Sequence, residues 1–127
     1  MTVEPQTGEN ISEAEHAVME ALWAASPLSA TDVAEAVHAR DWSLATVKTL
    51  LSRLVAKQAI ATQPDGKRFL YTPLLARTDY LGGESRRLVD RLFGGRAAPL
   101  FAQLAEAEAL TEADLAEIEA LLRELRK

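Results

Sequence analysis

The sequence predicts a mainly α-helical fold with one small β-hairpin. Helical hydrophobic spacing recurs along most of the 127 residues. Two short runs rich in β-branched and aromatic residues flank a Pro-Asp-Gly turn at residues 64–66. Hydrophobic residues make up 48% of the chain and charged residues 26%, which is ordinary for a globular protein with one core.

The first helix is predicted to begin at a capping box. Residues 1–10 are a polar segment that we expect to form a flexible leader. Ser12 and Glu15 then stand three apart, as a capping box requires, and the helix should end near Ala25 because Ser26-Pro27 follows. Four residues are expected on its buried side: Ala14, Val18, Ala21 and Leu22.

The second helix is predicted to follow after one extended residue, Leu28. Ser29 with Asp32 repeats the start signal, and the helix should end near Ala39. Its small-residue face suits close packing on the next helix and comprises Ala30, Val33, Ala34 and Val37. Arg40 and Asp41 are expected to form the turn that follows.

The third helix, residues 43–57 (SLATVKTLLSRLVAK), is capped by Ser43 and has two distinct sides. At about 100° per residue one arc is apolar, with Leu44, Val47, Leu50, Leu51, Leu54 and Val55. The opposite arc is small, hydroxylic and basic, with Ala45, Lys48, Thr49, Ser52 and Arg53. Such side chains suit phosphates, base edges and thymine methyl groups, although a solvated surface helix can show the same pattern.

The residues that follow the third helix predict a β-hairpin. Strands are predicted at residues 59–63 and 68–72 around a turn at 64–67, with Lys67 and Arg68 near the tip. Two helices, an amphipathic basic helix and a hairpin, in this order, predict a winged helix-turn-helix domain over residues 11–75. In that fold the third helix enters the major groove of DNA and the hairpin, or wing, reaches the backbone or the minor groove.

The remaining residues, 76–127, predict a separate helical domain. One helix should cover roughly residues 75–93, with Tyr80, Leu88, Leu92 and Phe93 as its apolar positions. Gly82-Gly83 inside it costs about 1 kcal/mol per glycine, so either the helix starts later or a neighbour packs tightly there. Gly94-Gly95 should end it.

Two further helices are expected. Pro99 opens the first, whose apolar side includes Leu100, Phe101 and Leu104. Thr111 with Asp114 caps the second, on which Leu115, Ile118, Leu122 and Leu125 form a seam for lengthwise packing on another helix. The seam could pair with a second copy or fold back on its own domain.

Charge is unevenly distributed along the chain, whose net charge is −5. Residues 43–75 carry five basic side chains and one acidic one, a net charge of +4, whereas residues 106–127 carry seven acidic and three basic ones, a net charge of −4. The local excess of cations favours a nucleic-acid-binding surface. The acidic end either aids solubility or discourages nonspecific contact with DNA.

Several function classes are excluded. Without cysteine there is no disulfide or thiolate metal site, and His16 and His38 are expected to be surface or packing residues, so no metal or cofactor is predicted. No nucleophile elbow or glycine-rich phosphate loop occurs, which argues against an enzyme. Trp23 and Trp42 are expected in the core. No apolar run is long enough to span a bilayer and the first residues lack a secretory pattern, so we expect a cytoplasmic protein without membrane insertion.

Several stretches resemble the penicillinase repressor family, the winged-helix dimers that include BlaI, MecI and CopY. They are residues 11–23 (ISEAEHAVMEALW), 47–60 (VKTLLSRLVAKQAI), the wing residues 69–71 (FLY) and 92–95 (LFGG). The resemblance covers the chain from about residue 11 to its end. It implies a dimeric transcriptional repressor of a β-lactamase or related resistance or stress operon, which binds a palindromic operator with TGTA/TACA-type half-sites.

The resemblance also implies roles for particular residues. DNA contacts would come from Ser43, Thr46, Lys48, Thr49, Ser52, Arg53, Lys67 and Arg68. The homodimer interface would include Leu88, Leu92, Phe93, Leu104, Leu115, Ile118, Leu122 and Leu125.

The bond that a membrane metalloprotease sensor cleaves to relieve repression would lie at Leu100-Phe101, where this chain has leucine in place of the asparagine of the best-known members. The copper-responsive branch of the family uses a C-terminal cysteine cluster, which this sequence lacks.

A second hypothesis remains: a winged-helix protein-interaction module that buries its third helix against another protein. The cluster of Lys48, Arg53, Lys67 and Arg68 separates the two hypotheses. Nucleic-acid binding requires such cations, whereas protein interfaces are depleted in lysine.

Overall fold

The computed structural model describes residues 11–127, so the predicted leader lies outside the described residues. Six α-helices, a 3₁₀ turn and three strands follow in order. They are α1 (Glu13–Ala24), β1 (Leu28–Ser29), α2 (Ala30–Ala36), the 3₁₀ turn (His38–Arg40), α3 (Leu44–Ala56), β2 (Ile60–Asp65), β3 (Arg68–Pro73), α4 (Arg77–Phe93), α5 (Ala98–Glu106) and α6 (Glu112–Leu125). The mainly α-helical fold with a small sheet confirms the predicted fold class.

Two units make up the chain, and the division falls within α4. The first extends to Glu84 and the second comprises Ser85–Lys127. We call the first the winged unit, because it contains α1, α2, α3 and the sheet. We call the second the C-terminal unit.

All three of the predicted capping boxes are present. The hydroxyl groups of Ser12, Ser29 and Thr111 each accept a hydrogen bond from the backbone three residues on, and the acidic side chain there accepts one in return. Each box satisfies two of the backbone N–H groups that a helix start leaves without partners. The starts of α1, α2 and α6 are therefore fixed locally, which is why the sequence located them.

The buried side of α1 differs from the prediction. Val18 and Leu22 are fully buried as expected, but Ala14 and Ala21 are only partly buried. Met19 and Glu15 complete the buried face instead. Spacing of three and four residues from position 15 places all four on one side of the helix. Glu15 was not predicted on this side because a charged side chain is ordinarily exposed.

The sheet has three strands rather than the two predicted. Leu28 and Ser29 pair antiparallel with Tyr71 and Leu70, so the strand order is β1-β3-β2. The extended residue expected at Leu28 is thus the start of a short edge strand. The pairing spans more than forty residues of sequence, which local patterns do not reveal.

The hairpin turn is shorter than predicted. Asp65 pairs with Arg68 and Pro64 with Phe69, so the loop contains only Gly66 and Lys67. Gly66 has φ +64°, which glycine adopts without strain. Pro64 lies within β2, an edge strand. A proline is tolerated there because one edge of the strand makes no ladder hydrogen bonds.

The second helix ends sooner than predicted. It stops at Ala36, and His38–Arg40 form a 3₁₀ turn that Asp41 closes with φ 56°. The turn gives Arg40 two contacts: its guanidinium group pairs with Glu13 of α1 and lies 5.2 Å from the centre of the Trp42 ring. These contacts connect the start of α1 to the segment that precedes α3.

The core of the winged unit forms around α3. Four residues of its apolar arc are buried, namely Val47, Leu50, Leu51 and Leu54. They pack with buried side chains of the other elements: Val18, Met19, Leu22, Val33, Val37, Ala59, Ile60, Leu75 and Tyr80. The expectation for Leu44 is wrong, because this side chain in the first turn is 42% exposed.

The tryptophans and histidines take structural positions. Trp23 and Trp42 pack against the core, as predicted. The Trp23 indole donates to the Leu75 carbonyl at 2.8 Å, and the His16 ring stacks on Tyr80 with centroids 5.0 Å apart. His38 is exposed, with Nδ1 3.0 Å from the Glu35 carbonyl oxygen.

One ion pair is buried within the winged unit. The Glu15 carboxylate, 1% exposed, accepts hydrogen bonds from the Ser12 backbone at 2.8 Å and from Lys57 Nζ at 2.6 Å. Burial alone would raise the pKa of Glu15, but the hydrogen bonds from Lys57 and Ser12 outweigh it and hold the pKa below its usual value. The pair joins the first turn of α1 to the C-cap of α3.

At Gly82, neither explanation offered for the glycine pair holds. Helix α4 begins at Arg77 and continues through both glycines to Phe93, so it does not start after them. A Cβ atom added to Gly82 would meet no atom within 4 Å. Close packing therefore does not require glycine at position 82 within this chain.

The C-terminal unit has no core of its own. None of its residues, 85–127, all of which the structure describes, is buried. Gly94 and Gly95, with φ values of 60° and 85°, separate α4 from α5 as predicted. In residues 11–127 no helix combines the length and hydrophobicity needed to cross a membrane.

Replacing Lys57 with methionine should destabilise the protein by about 2–3 kcal/mol, because the buried Glu15 carboxylate would lose its counter-charge. Denaturant unfolding at pH 7 and fixed protein concentration measures this change. Glu13→Gln is the matched control: it breaks the exposed pair with Arg40, which solvent screens, and should destabilise the protein clearly less than Lys57→Met does. Equal effects of the two variants would contradict the role assigned to Lys57.

Replacing Gly82 with alanine should stabilise the protein by about 0.5–1 kcal/mol, since α4 would gain helix propensity without a clash. Thermal unfolding measures the gain. The same substitution at Gly66, where φ is positive, should instead destabilise by about 1 kcal/mol. A loss of stability in Gly82→Ala would show that position 82 is packed against something outside this chain.

Candidate nucleic-acid interface

The outward face of α3 has small residues at its centre and cations at its flanks. Lys48 and Arg53 lie about 140° apart around the helix axis. Between them the exposed positions are Ala45, Thr49, Ser52 and Ala56. Short side chains at the centre let the helix approach a partner closely, while the two long cations reach outward on either side.

Three of the hydroxyl groups on α3 already make local hydrogen bonds. Ser43 Oγ accepts from the Thr46 backbone at 3.1 Å and lies 3.0 Å from Thr46 Oγ1. The Thr49 hydroxyl donates to the Ala45 carbonyl at 3.0 Å, so it faces the exterior as an acceptor. Ser52 makes no side-chain hydrogen bond within residues 11–127 and keeps both capacities.

The wing places two cations near its tip. Lys67 is exposed in the two-residue turn, and Arg68, at the start of β3, donates from Nε to Asp65 Oδ2 at 3.1 Å. The pKa of Asp32 on α2 is lowered mainly by hydrogen bonds from Ser29, with Arg68 contributing at longer range. Arg68 is therefore partly compensated by carboxylates of its own chain.

Lys48, Arg53 and Lys67 differ from Arg68 in having no ion pair with any residue of the described chain, 11–127. Their charges are thus available to an external anion. In contrast, the basic residues Arg40, Lys57, Arg77 and Arg86 all pair with carboxylates.

Two neighbouring hollows collect most of the residues predicted to contact DNA. One, of about 500 Å³, lies between α2, α3 and the wing and is lined in part by Lys48, Lys67 and Arg68. The other, of about 390 Å³, lies along α3 and is lined by Lys48, Thr49, Ser52, Arg53 and Ala56. Ser43 and Thr46, at the start of α3, line neither hollow.

Sequence reasoning missed several residues of this surface, three of which are exposed beside the wing. Thr31 and Asp32, in the first turn of α2, line the hollow beside the wing, and Phe69 on β3 is 52% exposed there. The position of α2 depends on tertiary packing, which local sequence patterns do not predict. The position of Phe69 directly after Lys67 and Arg68 could have indicated a role on this surface. Aromatic residues in strands, however, are ordinarily assigned to the core.

The residues predicted at a dimer interface lie in α4, α5 and α6. Leu88, Phe93, Leu104 and Ile118 are partly buried, whereas Leu92, Leu115, Leu122 and Leu125 are 55%, 44%, 45% and 72% exposed. Leu121, which the seam pattern omits, is 57% exposed. The proposed cleavage bond, Leu100-Phe101, lies in the first turns of α5.

No group of three or more histidine, aspartate or glutamate side chains in residues 11–127 is arranged to hold a metal ion.

Comparison with known proteins places these features in a family. The model of the penicillinase repressor family matches residues 11–124. The penicillinase repressor of Bacillus licheniformis is 30% identical over 115 residues, which cover 90% of each chain. The methicillin resistance regulatory protein MecI of Mammaliicoccus sciuri is 31% identical over 113 residues, or 88% of this chain and 92% of that one.

The structural comparison agrees with the sequence comparison. The solution structure of the DNA-binding domain of the repressor BlaI superimposes with a TM-score of 0.53 and 32% identity, covering 61% of this chain and 94% of that domain. The arrangement of helices and wing is thus that of a domain known to bind DNA. With a family match over nearly all the described residues, the chain belongs to the penicillinase repressor family.

Proposed function

We propose that this protein is a non-enzymatic transcriptional repressor that binds operator DNA through α3 and the wing. The observation that carries the proposal is the set of cations without counter-ions: Lys48, Arg53 and Lys67 face outward on the two elements that a winged helix presents to DNA. Family membership supports the same function.

The geometry suggests how affinity and sequence preference divide between residues. Lys48 and Arg53, at the two flanks of α3, would contact phosphates on opposite sides of the major groove, and Lys67 a phosphate beside the wing. The central residues would then reach base edges. The Ala45 methyl group fits a thymine methyl, and the Thr49 hydroxyl, as an acceptor, fits an amino group of adenine or cytosine.

The alternative of a protein-interaction module lacks equivalent support. A protein interface of that type would bury α3 and tend to exclude lysine from its centre. The outward face of α3 has no large apolar side chain between Lys48 and Arg53. A flat, small-residue strip with cations at both edges matches a polyanion better.

The C-terminal unit supports a homodimer on a palindromic operator. Its helices expose leucines in the single chain, and none of its residues is buried. Such a surface is unfavourable in water, and pairing of Leu115, Ile118, Leu122 and Leu125 with the same residues of a second copy would bury it. Two winged units would then meet two half-sites related by symmetry.

We further propose that the protein regulates a β-lactamase or related resistance or stress operon. The relatives in Bacillus and Mammaliicoccus are named for penicillinase repression and methicillin resistance regulation. Release by a membrane metalloprotease sensor would require cleavage at Leu100-Phe101. Because this bond lies in α5, the first turns of that helix would have to unwind before cleavage.

Operator affinity should fall steeply with salt, and Lys48→Ala with Arg53→Ala should weaken it more than tenfold. The slope of log affinity against log salt should also decrease by about 2, because two phosphate contacts are lost. Gel-shift titrations on the promoter DNA of its own gene, at several salt concentrations, measure both quantities.

The matched control removes the same charge elsewhere: Arg96→Ala with Lys127→Ala, at exposed positions outside the helices, should leave affinity and slope unchanged. DNA binding through α3 would be refuted by an affinity that did not depend on salt concentration. It would also be refuted if the double variant at Lys48 and Arg53 kept the affinity of the original protein.

Leu122→Glu should shift the protein from dimer to monomer, since one buried carboxylate on each copy would face the other across the interface. Sedimentation equilibrium measures the change. Ala120→Glu adds the same charge about 160° away around α6 and should leave the dimer intact. A Leu122→Glu protein that remained dimeric would remove this helix from the interface.

A further inference from the structure

Phe69 is a large apolar side chain at the basic end of the wing that the proposed contacts leave unused. Its side chain is 52% exposed, although Tyr71, on the same face of β3 two residues on, is partly buried against the core. Phe69 pairs across the hairpin with Pro64, beyond the reach of the core. The hairpin therefore carries an aromatic ring beyond the part of the sheet that packs on the core.

The ring of Phe69 borders two hollows of different chemistry. One is a hollow of about 240 Å³, lined by Ser52, Val55, Thr62, Phe69 and Tyr71. The other is the larger hollow that contains Lys48, Lys67 and Arg68, and the same two aromatic residues line it. An apolar recess and a cationic recess therefore share Phe69 and Tyr71 as lining residues, and of these two Phe69 is the exposed one.

This pairing of recesses matches one repeating chemical unit. A nucleic-acid backbone alternates an apolar sugar face with a phosphate, so a sugar on the aromatic ring leaves the adjacent phosphate beside the cations. The uncompensated charges of Lys48 and Lys67 give the surface the complementary sign. A neutral apolar ligand would not use the cationic wall, and an acidic peptide would not require the aromatic one.

We infer that Phe69 packs on a deoxyribose of the bound operator, and so fixes the wing on the DNA backbone while Lys67 or Lys48 holds the neighbouring phosphate. The inference rests on the proposed DNA binding. It assigns to Phe69 a part of the affinity that does not depend on charge.

The test compares three variants in gel-shift titrations at several salt concentrations, on full-length protein and the promoter DNA used above. Phe69→Ala should weaken binding about 5- to 20-fold without changing the salt slope, because it removes apolar contact and no charge. Lys67→Ala should reduce the slope by about 1. Phe69→Leu, which keeps an apolar side chain, should retain affinity to within about threefold of the original protein.

Two controls separate contact from folding. Leu74→Ala truncates an equally exposed apolar residue, 55% exposed, that lines neither hollow, and should leave affinity unchanged. Unchanged Tm values would show that the variants fold. If Phe69→Ala does not fold, Phe69→Gln replaces it, since glutamine keeps a long side chain but lacks the apolar ring, and the same loss of affinity is expected.

The outcomes distinguish this inference from the proposed function. If the original protein binds DNA with a steep salt slope and Phe69→Ala binds equally well, Phe69 makes no contact and the inference alone is overturned. If Phe69→Ala lowers the salt slope as Lys67→Ala does, the ring acts by placing the wing cations, which also overturns it. If the original protein shows no salt-dependent binding, the proposed function itself fails.

Discussion

Burial of one side of α3 is the constraint on which the rest of the winged unit depends. Val47, Leu50, Leu51 and Leu54 are at most 5% exposed, so the rotation of the helix about its axis is fixed by the hydrophobic core. The opposite side must then face outward. The same packing that stabilises the unit therefore sets the direction of Lys48 and Arg53, and changes in the core should affect recognition as well as stability.

The ends of α3 are held by interactions of different range. Ser43 caps its first turn locally, whereas Lys57, at its last, reaches the buried carboxylate of Glu15 on α1. A buried charge pair contributes little net stability relative to apolar residues of the same shape. Its benefit here is geometric, because an unpaired Glu15 would be costly and the pair forms only when α1 and α3 are correctly placed.

Local signals explain what the sequence revealed, and distance along the chain explains what it did not. The capping boxes of α1, α2 and α6 and the two sides of α3 depend on residues three or four positions apart. The burial of Glu15 depends on a lysine 42 positions away, and β1 depends on Tyr71. Phe69 was hidden for another reason: the same residue type serves in cores and on recognition surfaces, and exposure alone distinguishes them.

The edges of the small sheet have a consequence for association. One edge strand, β1, has only two residues, and the other, β2, contains Pro64, which cannot donate a ladder hydrogen bond. Short or proline-containing edges resist the recruitment of additional strands from other molecules. Two copies whose exposed wings come close together would therefore have little tendency to aggregate edge to edge.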